Sequence, residues 1–283
     1  MRAIDLTDHL VHLDVAGVRV RVLDVPAAPA ARSPRTLLVI PGHTARIEGF
    51  AAMVPLLAAE HRVIVVDLPG SGESDKPDHR YSLTSYEDVL VAVLDQLGAS
   101  RVVPVGGSLG GNLVLRLGLR FPERFDRLVL WAPGGAWTAR PLAAAALRAL
   151  LGGTWLGRAL FWPSVAIQSR YWYDRDFPGR DRALQETFAY YRRVMSPGFA
   201  RMYWDIATDQ IAHSLFDVAG WIRQPTLLMW GDHDNGANMG AGVAELERLL
   251  MAGELHVFPG ARHSLETEIP ELLSATILAD LRS

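Results

Sequence analysis

The sequence predicts an α/β protein: a mostly parallel, doubly wound sheet with an N-terminal hairpin and an inserted helical cap. Three observations carry this. Short apolar runs with few polar interruptions recur along the chain, as strands buried on both faces require. Segments of helical spacing alternate with them, which implies right-handed strand–helix–strand units. A long stretch rich in Ala, Leu, Arg and aromatic residues then separates the fourth run from the fifth, after which the strand rhythm resumes.

Taken in order, His9 to Asp14 and Val18 to Val25 alternate apolar and polar residues around Ala16-Gly17, the pattern of a hairpin of half-buried strands. Thr36 to Ile40, Val63 to Val66, Val102 to Val105 and Leu128 to Trp131 are the buried parallel strands. Phe50 to Glu60, Ser85 to Leu97 and Asn112 to Phe121 are the helices between them. Thr226 to Trp230 and Leu255 to Phe258 complete the sheet, each trailed by a helical pattern. The core is therefore assigned to residues 1–134 and 223–283 and the cap to 135–222, with Pro163, Pro178 and Pro197 as helix breakers. Pro141 to Phe161 is read as a buried amphipathic helix rather than a membrane span or interfacial lid, because Arg148 and Arg158 interrupt it.

Composition excludes several classes of function. With 49% hydrophobic and 21% charged residues over 283 positions, the chain can bury a sizeable core. A formal net charge of -3 supplies no positive field for a nucleic-acid partner. There is no cysteine, hence no disulfide, thiolate metal site or cysteine nucleophile, and Lys76 is the sole lysine available for Schiff-base chemistry. The first residues turn polar before any apolar run of signal-peptide length, so a cytoplasmic protein is expected.

The most specific motif is Gly106-Gly107-Ser108-Leu109-Gly110-Gly111, between a strand and a helix. A sharp strand-to-helix turn exposes the serine hydroxyl, and only glycine-sized neighbours let the chain pass so closely. The following helix start places the Leu109 amide where it can stabilise an oxyanion. A serine hydroxyl is a weak nucleophile, so it needs a base, and the base needs a group that fixes its tautomer. Asp232-His233-Asp234 and His263 follow the last two strands, whose carboxyl ends open on one crevice in a parallel sheet. Alone, each of these would be a turn or surface residue; with Ser108 they read as one catalytic unit in the order Ser, Asp, His.

Other motifs lead nowhere. Gly70-Ser71-Gly72-Glu73-Ser74 lacks the third glycine of a dinucleotide site and the Gly-Lys-Ser/Thr of a phosphate loop. Asp232-His233-Asp234 has no companion ligand pair at helical spacing, so neither a metal nor a cofactor is expected.

Pro41-Gly42-His43, Asp67 to Ser74, the serine turn, Gly231 to Asp234, and His263 with Glu268-Ile269-Pro270-Glu271 together resemble the α/β-hydrolase family. The likeness is to its capped serine branch of esterases, lactonases, C–C bond hydrolases and cofactor-free haloperoxidases. It implies that Ser108, Asp234 and His263 form the triad, Asp234 being preferred to Asp232 as the fourth residue of the Gly-x-x-Asp pattern. It also implies that the amides of His43 and Leu109 form the oxyanion hole. Pro41 replaces the family's usual histidine, Gly107 replaces a residue that is often larger, and Asn235 to Asn238 replace a hydrophobic-proline ending. The serine excludes haloalkane dehalogenases and epoxide hydrolases, which use aspartate. The loop Ile40 to Thr44 sets the chain apart from proline iminopeptidases.

The resemblance implies an ester or lactone hydrolase working through an acyl-enzyme. C–C bond cleavage or a lyase on the same triad, and a non-catalytic binding homologue, are the alternatives. Cap aromatics suit an apolar or aromatic small molecule, although they equally suit the cap's own core. Trp162, Trp172 and Met239 are the candidates for substrate contact, and a homodimer is a possible assembly.

Overall fold

The computed structural model describes residues 6–234 and 239–282, with side chains described for 6–234 and 242–282. Eight strands form one sheet: β1 (Leu10–Val15), β2 (Val18–Val25), β3 (Thr36–Ile40), β4 (Arg62–Val66), β5 (Val103–Gly107), β6 (Leu128–Trp131), β7 (Thr226–Gly231) and β8 (Gly253–Phe258). Their order is β1-β2-β4-β3-β5-β6-β7-β8. The β1–β2 hairpin joins antiparallel to β4, and every pairing from β4 to β8 is parallel. The predicted sheet is thus formed, with both edges occupied by the more exposed strands β1 and β8.

The uninterrupted apolar runs have their expected cause. Leu38 and Ile40 of β3, Ile64 and Val66 of β4 and Leu128 and Leu130 of β6 face one core layer. Their neighbours Leu37, Val39, Val63, Val65 and Val129 face the other. Both sets are fully shielded because helices cover both faces: α2 (Leu83–Gln96) and α3 (Leu109–Arg120) on one, α1 (Val54–Ala58) and, on the same side, the terminal helix Pro270–Arg282 on the other.

Helix ends follow local chemistry. Ser82 caps α2, accepting from the Ser85 amide at 3.1 Å while Ser85 Oγ accepts from the Ser82 amide at 3.1 Å. The first helix is shorter than its apolar pattern: a 3₁₀ turn covers Ile47–Phe50, and α1 begins at Val54 because Pro55 suits only a first turn. The α3 helix begins three residues before the pattern suggests, since the Ser108 turn passes directly into it.

Between β6 and β7 run α4 (Pro141–Leu151), α5 (Trp155–Gln168), α6 (Arg180–Val194), α7 (Pro197–Ala212) and α8 (Phe216–Ala219); α9 (Met239–Leu249), α10 (Leu265–Glu268) and α11 (Pro270–Arg282) complete the chain. The central member of the inserted group is α7, most of whose residues are buried. Asp205 accepts from the Tyr81 amide at 3.1 Å and Asp209 from the Leu83 amide at 2.8 Å, tying α7 to the start of α2. Pro197 opens α7 behind the Ser196 cap, as a breaker should. Pro163 instead lies inside α5, on its exposed side, where the carbonyl it leaves without an amide partner faces water. The expectation of a buried helix at Pro141 to Phe161 also fails for its first half: only Ala144 and Leu151 of α4 are buried. Among the described residues no helix is long and apolar enough to cross a membrane.

Candidate functional site

Ser108 occupies the turn between β5 and α3 with φ 55° and ψ -117°, a conformation that L-residues avoid. The surroundings over-determine it. The Ser108 amide donates to the Trp131 carbonyl at 3.1 Å, and its carbonyl accepts from Asn112 at 3.1 Å and Gly134 at 2.9 Å. A Cβ at Gly106 would lie 2.6 Å from the Gly110 carbonyl carbon, and one at Gly110 would overlap the Ile40 carbonyl. The turn can cross so close to β3 only with glycine at both positions.

The carboxyl ends of β7 and β8 deliver the other two groups. Asp234, buried after β7, accepts from His263 Nδ1 at 2.8 Å. That bond fixes the tautomer with the Nε2 position free for acid–base work. His263 is part-buried and lines the same cavity as Ser108, although Ser108 Oγ is not hydrogen-bonded to the imidazole. Burial opposes the charged imidazole, but the Asp234 charge and hydrogen bond, with Glu266 and Glu268, outweigh it and raise the pKa above the ordinary 6.5. Asp232 faces elsewhere, accepting from the Gly260 amide at 2.7 Å, so the geometry distinguishes the two aspartates.

The loop after β3 places His43 on the cavity wall, and the His43 amide donates to no other group among the described residues. Leu109 is the first residue of α3, where helical amides have no carbonyl one turn earlier to bond. The His43 imidazole is not solvated: it stacks on Tyr203 with centroids 5.0 Å apart. Burial drives its pKa down to about 4, so it is neutral near pH 7. Thr44 beside it has φ 62° and shares a 2.6 Å hydrogen bond with Tyr191.

The Asp67 to Ser74 motif holds this loop rather than touching the cavity. Asp67 accepts from Arg21 Nε at 2.7 Å, Ile47 N at 2.8 Å and Glu73 N at 2.8 Å, so one buried carboxylate links β2, the His43 loop and its own turn. Tyr190 of α6 donates no less to this scaffold than it takes, its hydroxyl accepting from the Gly72 amide at 2.6 Å.

The cavity has a volume of about 710 Å³, within the range of small-molecule sites. Core loops form its floor, and the inserted helices supply much of the wall, including Trp172, Tyr191 and Tyr203. Trp172 is thus where the sequence expects a substrate contact. Trp162 is not: its indole stacks on Phe188 at 6.3 Å and meets Phe161 edge-on at 5.2 Å, away from the wall. Met239 lies outside the residues whose side chains are described.

Sequence reasoning missed Glu266, which faces the cavity and accepts from Trp131 Nε1 at 2.9 Å. Burial raises its pKa, opposed by the amide, indole and imidazole around it. Three residues after a catalytic-type histidine, it gives no pattern signal because its partner is 135 positions away. Glu268 was seen as part of a motif, but its task appears only here: it accepts from the Arg262 amide at 3.2 Å and from the Asp174 amide of the inserted segment at 3.0 Å.

Among the described residues no His, Cys, Asp and Glu cluster is arranged to hold a metal ion. What the arrangement can do is activate a hydroxyl, through a buried carboxylate and an imidazole, in a cavity that excludes much of the solvent.

A sequence profile of the alpha/beta hydrolase fold matches residues 35–265. The chain is 30% identical over 239 residues to 2-hydroxy-6-oxo-2,4-heptadienoate hydrolase of Pseudomonas putida, covering 81% of this chain and 80% of that one. It is 29% identical over 256 residues to the dihydrolipoyllysine-residue acetyltransferase component of the acetoin cleaving system of Pseudomonas putida. That match takes in 87% of this chain but only 63% of the relative's length. Among solved structures it superposes on the enol-lactonase from Burkholderia xenovorans with a TM-score of 0.77, 21% identity, and 96% and 100% of the two chains covered.

Proposed function

Because the chain belongs to the alpha/beta hydrolase family, we propose that it is a serine hydrolase that cleaves a carboxylic ester or lactone of a small apolar or aromatic compound. The observation that carries this is the 2.8 Å His263–Asp234 bond at the wall of a cavity that also holds the strained Ser108 turn. In this reading His263 Nε2 takes the Ser108 hydroxyl proton as Oγ bonds to the acyl carbon. The amides of His43 and Leu109 hold the oxyanion. As the tetrahedral adduct collapses, the C–O bond to the leaving group breaks and His263 returns the proton to that oxygen. Water then attacks the acyl-enzyme with His263 again as base, and the acid leaves.

Residues 135–222 act as the cap, since Trp172, Tyr191 and Tyr203 form an aromatic wall facing the serine. That wall supports an apolar acyl or alcohol group.

A second reading has a specific support, the 30% identity to a 2-hydroxy-6-oxo-2,4-heptadienoate hydrolase. Here the same site would add water across a C–C bond beside the carbonyl. The test is a fluorophosphonate probe with mapping of the adduct, followed by turnover of p-nitrophenyl esters, lactones and a 2-hydroxy-6-oxodienoate. Labelling of Ser108 with ester or lactone turnover supports the first reading, and dienoate cleavage without ester turnover moves the second ahead. An unlabelled Ser108 in folded protein overturns both.

A further inference from the structure

The α4–α5 hairpin presents a face that the fold leaves uncovered. Seven of the thirteen large apolar side chains exposed among the described residues fall between positions 142 and 171. Leu142 is 87% exposed, Leu150 53% and Trp155 72%. On α4 the outward positions are Pro, Leu and Ala throughout; its one charged residue, Arg148, turns inward to Thr208 at 3.1 Å and Asp209 at 2.9 Å. A surface helix normally puts charge outward and apolar residues inward, and α4 reverses this.

The charge around this face has a single sign. From residue 127 to residue 173 the chain contains no Asp or Glu, but it contains Arg140, Arg158 and Arg170, all exposed and with no ion-pair partner among the described residues. The carboxylates beneath, Asp205 and Asp209 of α7, are buried and face Arg201 and Arg148. Apolar side chains with an outward tryptophan, rimmed by unpaired guanidinium groups, match the interface of an anionic bilayer. A second copy of the chain fits less well, because a two-fold contact through this patch sets arginine against arginine with no acidic residue between 127 and 173 to pair them.

We propose that the α4–α5 face docks the protein on anionic phospholipid surfaces, with the helices lying in the interface and none crossing it. The end of α5 leads to Gln168 and Tyr171, which line the cavity, so the docked orientation turns the entrance of the site toward the lipid. The inference stands apart from the catalytic reading, since none of Leu142, Leu150, Trp155 or the three arginines belongs to that machinery.

The test is co-sedimentation of the full chain with vesicles of phosphatidylcholine alone or mixed with phosphatidylglycerol. The expected result is binding to the anionic vesicles that weakens with salt. Arg140→Gln, Arg158→Gln and Arg170→Gln together lower it by roughly a hundredfold. Leu142→Glu with Trp155→Glu abolishes binding while circular dichroism and thermal unfolding stay unchanged, since both sites are exposed. Equal binding by these variants, or no binding by the parent chain, overturns the proposal. So does a dimer in solution that the Leu142→Glu, Trp155→Glu variant converts to monomer, which would assign the face to a second copy.

Discussion

The indole N–H of Trp131 donates to Glu266 Oε2 at 2.9 Å, and the pair stands directly behind Gly107 in the serine turn. A Cβ at position 107 would overlap Trp131 Nε1. The smallness of residue 107, a departure from the family pattern, is thereby explained: the tryptophan takes up the space.

Gly107→Ala should therefore destabilise the fold by about 1–3 kcal/mol, because neither the indole nor the strand can yield without shifting Ser108. Denaturant unfolding measures this, and Trp131→Phe in the same chain should recover part of the loss by removing the ring edge that clashes. Wild-type stability in Gly107→Ala would mean that the indole moves freely and does not set the turn.

Ser108→Ala should reduce turnover of the reactive substrate by at least roughly 10³-fold. Its stability should change little, since alanine meets the same strain at φ 55° as serine does. Comparison of kcat/KM with the unfolding midpoint separates the two effects. Retained turnover would sink the nucleophile assignment.

The acid limb of the pH–rate profile should lie above 6.5. His263 has its pKa raised in the folded chain, so the neutral base form is lost as pH falls through that raised value. Glu266 contributes to the rise, so Glu266→Gln should move the limb to lower pH while the amide oxygen still accepts from Trp131. A limb unmoved by this substitution would show that Glu266 is protonated throughout the range.

Glu268 should make the attachment of residues 170–176 sensitive to pH. Burial raises its pKa from 4.5 to about 7. The sign follows from linkage: a carboxyl with a raised folded pKa adds stability that is full below 4.5 and is lost as pH climbs through about 7. His233, raised by its 2.7 Å bond to Asp174, acts in the same direction near neutrality. Amide hydrogen exchange at Trp172 to Asp176 should accelerate, relative to the core strands, between pH 5 and about pH 8. Glu268→Gln should flatten that dependence; an unchanged pH profile in the variant would leave His233 as its sole cause.

By itself the sequence determined the order and nearly the bounds of β3 and β6, the hairpin, and the helix following Ser108. It also marked out Ser108, Asp234 and His263. These are local matters: buried strands need unbroken apolar runs, tight turns need glycine, and strand ends in a parallel sheet converge. Only the tertiary structure decided that Trp172 meets the cavity while Trp162 packs on Phe188, since both are aromatic residues of the same inserted segment. It likewise decided that α4 faces outward, because an Ala- and Leu-rich helix has the same composition whether buried or exposed. The Trp131–Glu266 and Glu268–Asp174 contacts join positions 135 and 94 residues apart. No periodicity links such pairs; they exist because the sheet carries β6, the histidine loop and the inserted helices to one edge.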